Sequence, residues 1–136
     1  MARKTINYTV ETEGRDKGKN FVITEMDADK AEAWAFRALL AIMANNAELP
    51  DGLERMGIAA MVEIGIKAIS GLKWEVAKPL LDEMMECVTF SPDPLKPHVT
   101  RKLFDGDIEE LMTRVKLRGE IWKLHTDFFA AVRASI

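Results

Sequence analysis

Residues Leu53 to Ile69, LERMGIAAMVEIGIKAI, constrain the fold more than any other stretch of this sequence. Their spacing predicts a helix that is apolar almost all the way round. Leu53, Met56, Ala60, Ile64 and Ala68 make one stripe, and Ile58, Met61, Val62, Ile66 and Ile69 fill much of the rest. A surface helix needs only one apolar stripe. A helix apolar on most sides must be enclosed by its own domain, by a membrane or by a partner. A spanning helix needs roughly 20 apolar residues. This run is shorter and carries Arg55, Glu63 and Lys67, so no membrane span is expected.

At 136 residues the chain reads as one domain, 1–136, long enough to bury a core. A net charge of −3 with scattered Lys and Arg speaks against duplex binding, which calls for a basic face. The single cysteine, Cys87, has no intrachain partner, which suits a reducing compartment. The start, MARKTINYTVETEGRDKGKN, has no apolar core after its basic residues and does not read as a secretory leader.

The pattern predicts an α+β fold, mainly helical, with about four helices. Residues of about 5–24 read as a β-hairpin: Ile6, Tyr8 and Val10 alternate with polar residues, and KNFVIT returns. Gly14 and Gly18 suit the connection, and Arg15, Asp16, Lys17 and Lys19 read as a solvated charged tip. A helical body is expected over about 27–90. Its first helix starts at Asp27 or Asp29, with Ala31, Trp34, Ala35, Ala38 and Ile42 on one face. The Leu53–Ile69 helix follows. Pro79 then predicts a separate turn over Lys73–Lys78 and a short helix from Pro79 to Glu86. Pro92, Pro94 and Pro97 mark a stiff connection over 91–98, across which Cys87–Phe90 and Val99–Phe104 can pair as a second hairpin.

The last helix is expected over about 106–133, opened by Asp105 or Asp107, with Glu109 and Glu110 in its first turn. It carries two apolar stripes. Ile108, Leu111, Met112, Val115, Trp122 and Phe129 form one; Leu117, Ile121, Leu124, Phe128 and Val132 form the other. One stripe can face the core. The second needs another surface.

Nothing in the sequence reads as catalytic machinery or as a cofactor or metal site. His98 and His125 lack ligand neighbours at helical spacing, and His125 reads as a polar residue at the edge of an apolar face. Cys87 reads as a buried small hydrophobe. The carboxylates Asp82, Glu83 and Glu86 lie on a solvent face. Asp105, Asp107, Glu109 and Glu110 look like a helix start rather than a calcium loop. Phosphate-loop, dinucleotide, nucleophile-elbow and zinc-protease motifs are absent. Arg114, Lys116, Arg118 and Lys123 are the best nucleic-acid signal, read here as a solvated face. Eight methionines, most of them in or beside apolar stripes, suit core filling or an adaptable contact surface.

In order along the chain, GRDKGKNFVITEMDA, AEAWAFRALLAIM, GIAAMVEIGIKAISGL, KPLLDEMMECV and DGDIEELMTRVKLRGEIWKLHTDFF resemble the tail assembly chaperones of long-tailed bacteriophages and prophages. The resemblance spans most of the chain and consists of helix patterns, with no catalytic motif. It implies a small, non-enzymatic helical protein that binds the tape-measure protein and keeps it soluble while tube subunits polymerise around it. It implies homo-oligomers, contact with the tail tube protein, residence in the host cytoplasm and absence from the mature virion. It also implies a second, frameshifted product with an added C-terminal domain. Neither nucleic acid nor membrane is an expected partner. The expected contact surface includes Met56, Ile58, Met61, Val62, Ile121, Leu124 and Phe128. A structural tail-completion or connector subunit and a small DNA-binding regulator are the alternatives.

Overall fold

Four short antiparallel strands form one sheet in the order β1-β2-β3-β4, and helices pack on one of its faces. The computed structural model describes residues 3–44 and 71–134. Strands β1 (Thr5–Thr9) and β2 (Asn20–Thr24) are the expected hairpin, with Tyr8 opposite Phe21 and Ile6 opposite Ile23. Helix α1 (Ala28–Ala44) follows, and helix α2 (Trp74–Met85) leads into β3 (Val88–Ser91). β3 returns antiparallel beside β2, and β4 (Arg101–Lys102) closes the second hairpin across the proline-rich connection. Helix α3 (Leu111–Ala134) ends the fold. This is an α+β architecture with three helices among the described residues. The Leu53–Ile69 helix expected from the sequence, with Met56, Ile58, Met61 and Val62, lies outside the described residues.

The strand registers put Ile6, Tyr8, Phe21, Ile23, Val88 and Phe90 on one face. Successive strand residues point to opposite faces, so this alternation is what commits one side to the core. Against that face lie Met84 and Met85 of α2 and Leu117, Ile121 and Leu124 of α3. Phe21 and Phe90 rings meet at 5.3 Å. At the β4 edge Arg101 finishes the layer: its guanidinium lies 4.9 Å from the Phe90 ring centre and 4.5 Å from that of Phe104. That geometry is a cation–π stack.

Asp27, not Asp29, caps α1. Its carboxylate accepts the Lys30 N–H at 2.8 Å, and its carbonyl accepts the Ala31 N–H at 2.9 Å. Trp34 ties the three helices together. Its indole N–H donates to the Leu80 carbonyl at 2.9 Å, and its ring meets Trp122 edge-on at 5.6 Å. The indole thus satisfies its donor while burying its ring.

Two expectations about helix limits are corrected. α2 is continuous from Trp74, with Pro79 inside it rather than in its first turn. A proline there deprives the carbonyl four residues earlier, on Glu75, of its partner. Glu75 and Pro79 are both exposed, so water can take that place. α3 begins at Leu111, several residues after Asp105 and Asp107, because both carboxylate and backbone groups of the 104–107 segment are spent on a turn. Asp107 accepts the Phe104 N–H at 2.6 Å and both Arg101 nitrogens at 2.9 Å. Gly119 does not break α3.

Leu117 is fully buried against the sheet, whereas Leu95 stands 90 % exposed in the proline-rich loop. Truncating Leu117 leaves a cavity, so Leu117→Ala should cost roughly 2–5 kcal/mol of unfolding free energy. Leu95→Ala should change it by less than about 0.5 kcal/mol. Urea denaturation followed by circular dichroism reads both, and equal effects would contradict the packing described.

Candidate functional site

The hairpin tip is a clamp on the start of α3, not the solvated turn the sequence suggested. Gly14 and Gly18 adopt positive φ, and the Gly18 N–H folds back onto the Val10 carbonyl at 2.8 Å. A β-carbon on Gly14 would sit 3.3 Å from Glu110 Oε1, so the tip backbone approaches the helix start closely. This fold-back swings Asp16 inward until it is only 1 % exposed. Asp16 Oδ1 accepts the Glu109 N–H at 2.9 Å, and Oδ2 accepts the Glu110 N–H at 2.8 Å. Lys19 Nζ lies 2.9 Å from Oδ1 and also donates to the Asp107 carbonyl at 2.7 Å. The Thr113 hydroxyl completes the set.

A helix start leaves backbone N–H groups without partners and carries a partial positive charge. Asp16 supplies the carboxylate from some ninety residues away along the chain. Burial alone would raise its pKa. The hydrogen bonds from Lys19, Glu109, Glu110 and Thr113 outweigh burial and hold the carboxyl well below the usual range. Arg15 adds an outer pair, its Nε 3.0 Å from Glu110 Oε1 and its Nη2 2.8 Å from the Glu109 carbonyl.

The clamp fixes the rotation of α3. Thr113, Leu117, Ile121 and Leu124 recur at helical spacing, and all four are buried. Ile121 and Leu124, expected to meet a partner, are therefore core residues of this chain, 1 % and 6 % exposed. Phe128 lies in α3, but its side chain is outside the described residues. The other stripe is split. Trp122 is covered by Trp34, while Leu111, Met112 and Val115 stand 77 %, 55 % and 48 % exposed. These three belong to the stripe that the expected contact residues did not include. The signal available was Thr113: a polar residue heading the Leu117 stripe needs a buried partner, which Asp16, read as part of a solvated tip, supplies.

A second open face lies on α1. Phe36 and Leu40, one turn apart, are both exposed on the side away from Trp34 and Ala38. Trp74 is likewise exposed at the start of α2.

The remaining polar candidates have structural roles. His125 uses both ring nitrogens: Nε2 accepts the Met26 N–H at 2.9 Å, and Nδ1 donates to the Ile121 carbonyl at 2.7 Å. Asp82 pairs with Lys78 at 2.6 Å, and Glu83 pairs with Arg37 at 2.6 Å. Burial, then the neighbouring Glu86, pushes the Cys87 thiol up to about 11. Cys87 borders a cavity of about 260 Å³ shared by Trp34, Lys30 and Glu86, whose charges are mixed in sign. Among the described residues no helix is long and apolar enough to cross a membrane, and no group of His, Cys, Asp and Glu has metal-site geometry. No protein-family model, curated protein or solved structure matches the chain.

Two outcomes follow from these environments. The folded Asp16 pKa lies below the unfolded value of about 3.9. Its stabilisation is thus complete above that pH and is lost as pH falls towards the folded pKa. Asp16→Asn should lower stability at neutral pH by roughly 2–4 kcal/mol. It should also flatten the acid limb of a stability–pH curve; an unchanged acid limb would mean Asp16 is not the buried cap. Cys87 should react with an aromatic disulfide reagent at pH 8 only after denaturation, because little thiolate is present and access is closed.

Proposed function

We propose that this chain is a non-catalytic tail assembly chaperone of a long-tailed bacteriophage or prophage. It binds the tape-measure protein and keeps it soluble while the tail tube assembles. One observation carries the reading: large apolar side chains stand open on helices in stripes, Phe36 and Leu40 on α1 and Leu111, Met112 and Val115 on α3. Single exposed apolar residues need no explanation, but stripes one turn apart on a helix match the helix-in-groove and helix-on-helix modes of recognition. The resemblance of the chain to tail assembly chaperones supplies the client, a long helix-rich protein whose own stripes require cover.

Leu111, Met112 and Val115 replace Ile121 and Leu124 as the proposed contacts on α3. Phe36 and Leu40 suit either the client or a second copy in a homo-oligomer. The chaperone acts in the host cytoplasm and leaves before the virion matures.

Co-expression with the tape-measure protein encoded nearby tests this. The client should become soluble and co-purify with this chain, and Val115→Asp should reduce both while the variant itself stays folded. A client that remains insoluble, together with this chain in purified virions, would point instead to a structural tail subunit.

A further inference from the structure

The open stripe on α3 carries a charge pattern that the chaperone reading does not use. At about 100° per residue, Leu111, Val115 and Met112 occupy one sector of the helix. Arg114 and Arg118 border it on one side and Lys116 on the other. On the second side Lys116 already donates to the Thr12 hydroxyl at 2.6 Å and Glu120 lies one turn further along, so the cationic border rests on Arg114 and Arg118. Asp82 is the carboxylate that Arg114 and Arg118 face on α2, and Lys78 already holds it at 2.6 Å. Three cations thus share one acid there. Glu109 and Glu110 are held by Arg15. Burial, and then the neighbouring Arg114, lowers the Arg118 pKa, while Asp82 opposes them.

We infer that this face of α3 is a docking surface for an acidic amphipathic helix, one whose apolar stripe is flanked by Asp or Glu. Leu111, Met112 and Val115 receive the apolar stripe, and Arg114 and Arg118 along one edge receive the carboxylates. Opposite charge bordering an apolar strip sets register and excludes helices with basic flanks. The same cations face a poorer match in nucleic acid. Three exposed apolar side chains occupy the centre of the patch, and the chain is net negative. The patch is small, so the contact is weak and salt-sensitive.

This inference goes beyond the chaperone reading, because it holds for any protein that presents such a helix. The test uses the full chain and two labelled synthetic helical peptides with the same Leu/Met/Ile stripe, one flanked by Glu and one by Lys. Fluorescence anisotropy at low salt should show the Glu-flanked peptide binding at least about tenfold more tightly than the Lys-flanked one. Val115→Asp and Leu111→Ser should abolish that binding. Arg114→Glu should weaken it about tenfold and improve binding of the Lys-flanked peptide. Circular dichroism confirms that each variant is folded, and all three positions are outside the buried core. Equal binding of the two peptides, no binding of either, or folded variants that bind normally would overturn the inference. So would duplex DNA or RNA competing the peptide away from wild type, or sedimentation showing that a second copy of this chain occupies the face. If the tape-measure protein fails to co-purify while the peptide preference holds, the client assignment falls and this surface stands.

Discussion

The carboxylate of Asp16 is the point on which the arrangement of this molecule turns. The core needs α3 pressed against the sheet with Leu117, Ile121 and Leu124 inward. The apolar pattern of α3 alone does not choose that rotation, because two stripes compete. The helix start decides it. Burying Asp16 has a desolvation cost that only a full set of donors offsets. The donors present are the N–H groups of Glu109 and Glu110, Lys19 and the Thr113 hydroxyl. That set exists only when Thr113 faces the hairpin. With Thr113 inward, the residues at three- and four-residue steps beyond it are the core stripe, and Leu111, Met112 and Val115 are turned outward.

The hairpin therefore does more than contribute two strands. Its tip reaches across the chain to fix a helix that forms last in sequence, and its glycines make that reach possible. Without positive φ at Gly18 the loop could not return its N–H to Val10, and Asp16 would remain in water. Arg101 works from the other edge of the sheet. It covers Phe90 and Phe104 with its guanidinium plane while its nitrogens hold Asp107. The 104–110 segment is thus held from both edges, by Arg101 on β4 and by the β1–β2 tip.

The hairpin was legible in the sequence because strict alternation at Ile6, Tyr8 and Val10, with two flanking glycines, has few other readings. So was the second strand pair, since three prolines leave little else between Cys87 and Phe104. The first helix was legible for its Trp34 and Ala38 face. The outward side of α3 was not. Its choice rests on a buried ion-pair and hydrogen-bond cluster joining residues far apart in sequence, and a charged residue in a turn reads as solvated unless its partners are known. Pro79 misled for a related reason. The rule against interior proline assumes a buried carbonyl that cannot reach water, and Glu75 is exposed.

The same clamp shapes what the exposed stripe can do. Leu111 and Val115 sit in the first turns of α3, the part of a helix that frays most readily unless its N–H groups are held. Asp16 and Arg15 hold that start, so the apolar side chains are presented on rigid backbone rather than on a loose end. A rigid but small patch loses little entropy on contact and gains little area, which favours fast, reversible association over permanent assembly. That balance suits a protein that must cover an apolar helix and later give it up. It also separates the two open faces in kind. The α3 patch has Arg114 and Arg118 along one edge, whereas Phe36 and Leu40 on α1 offer apolar area with both Glu32 and Arg37 nearby on the helix.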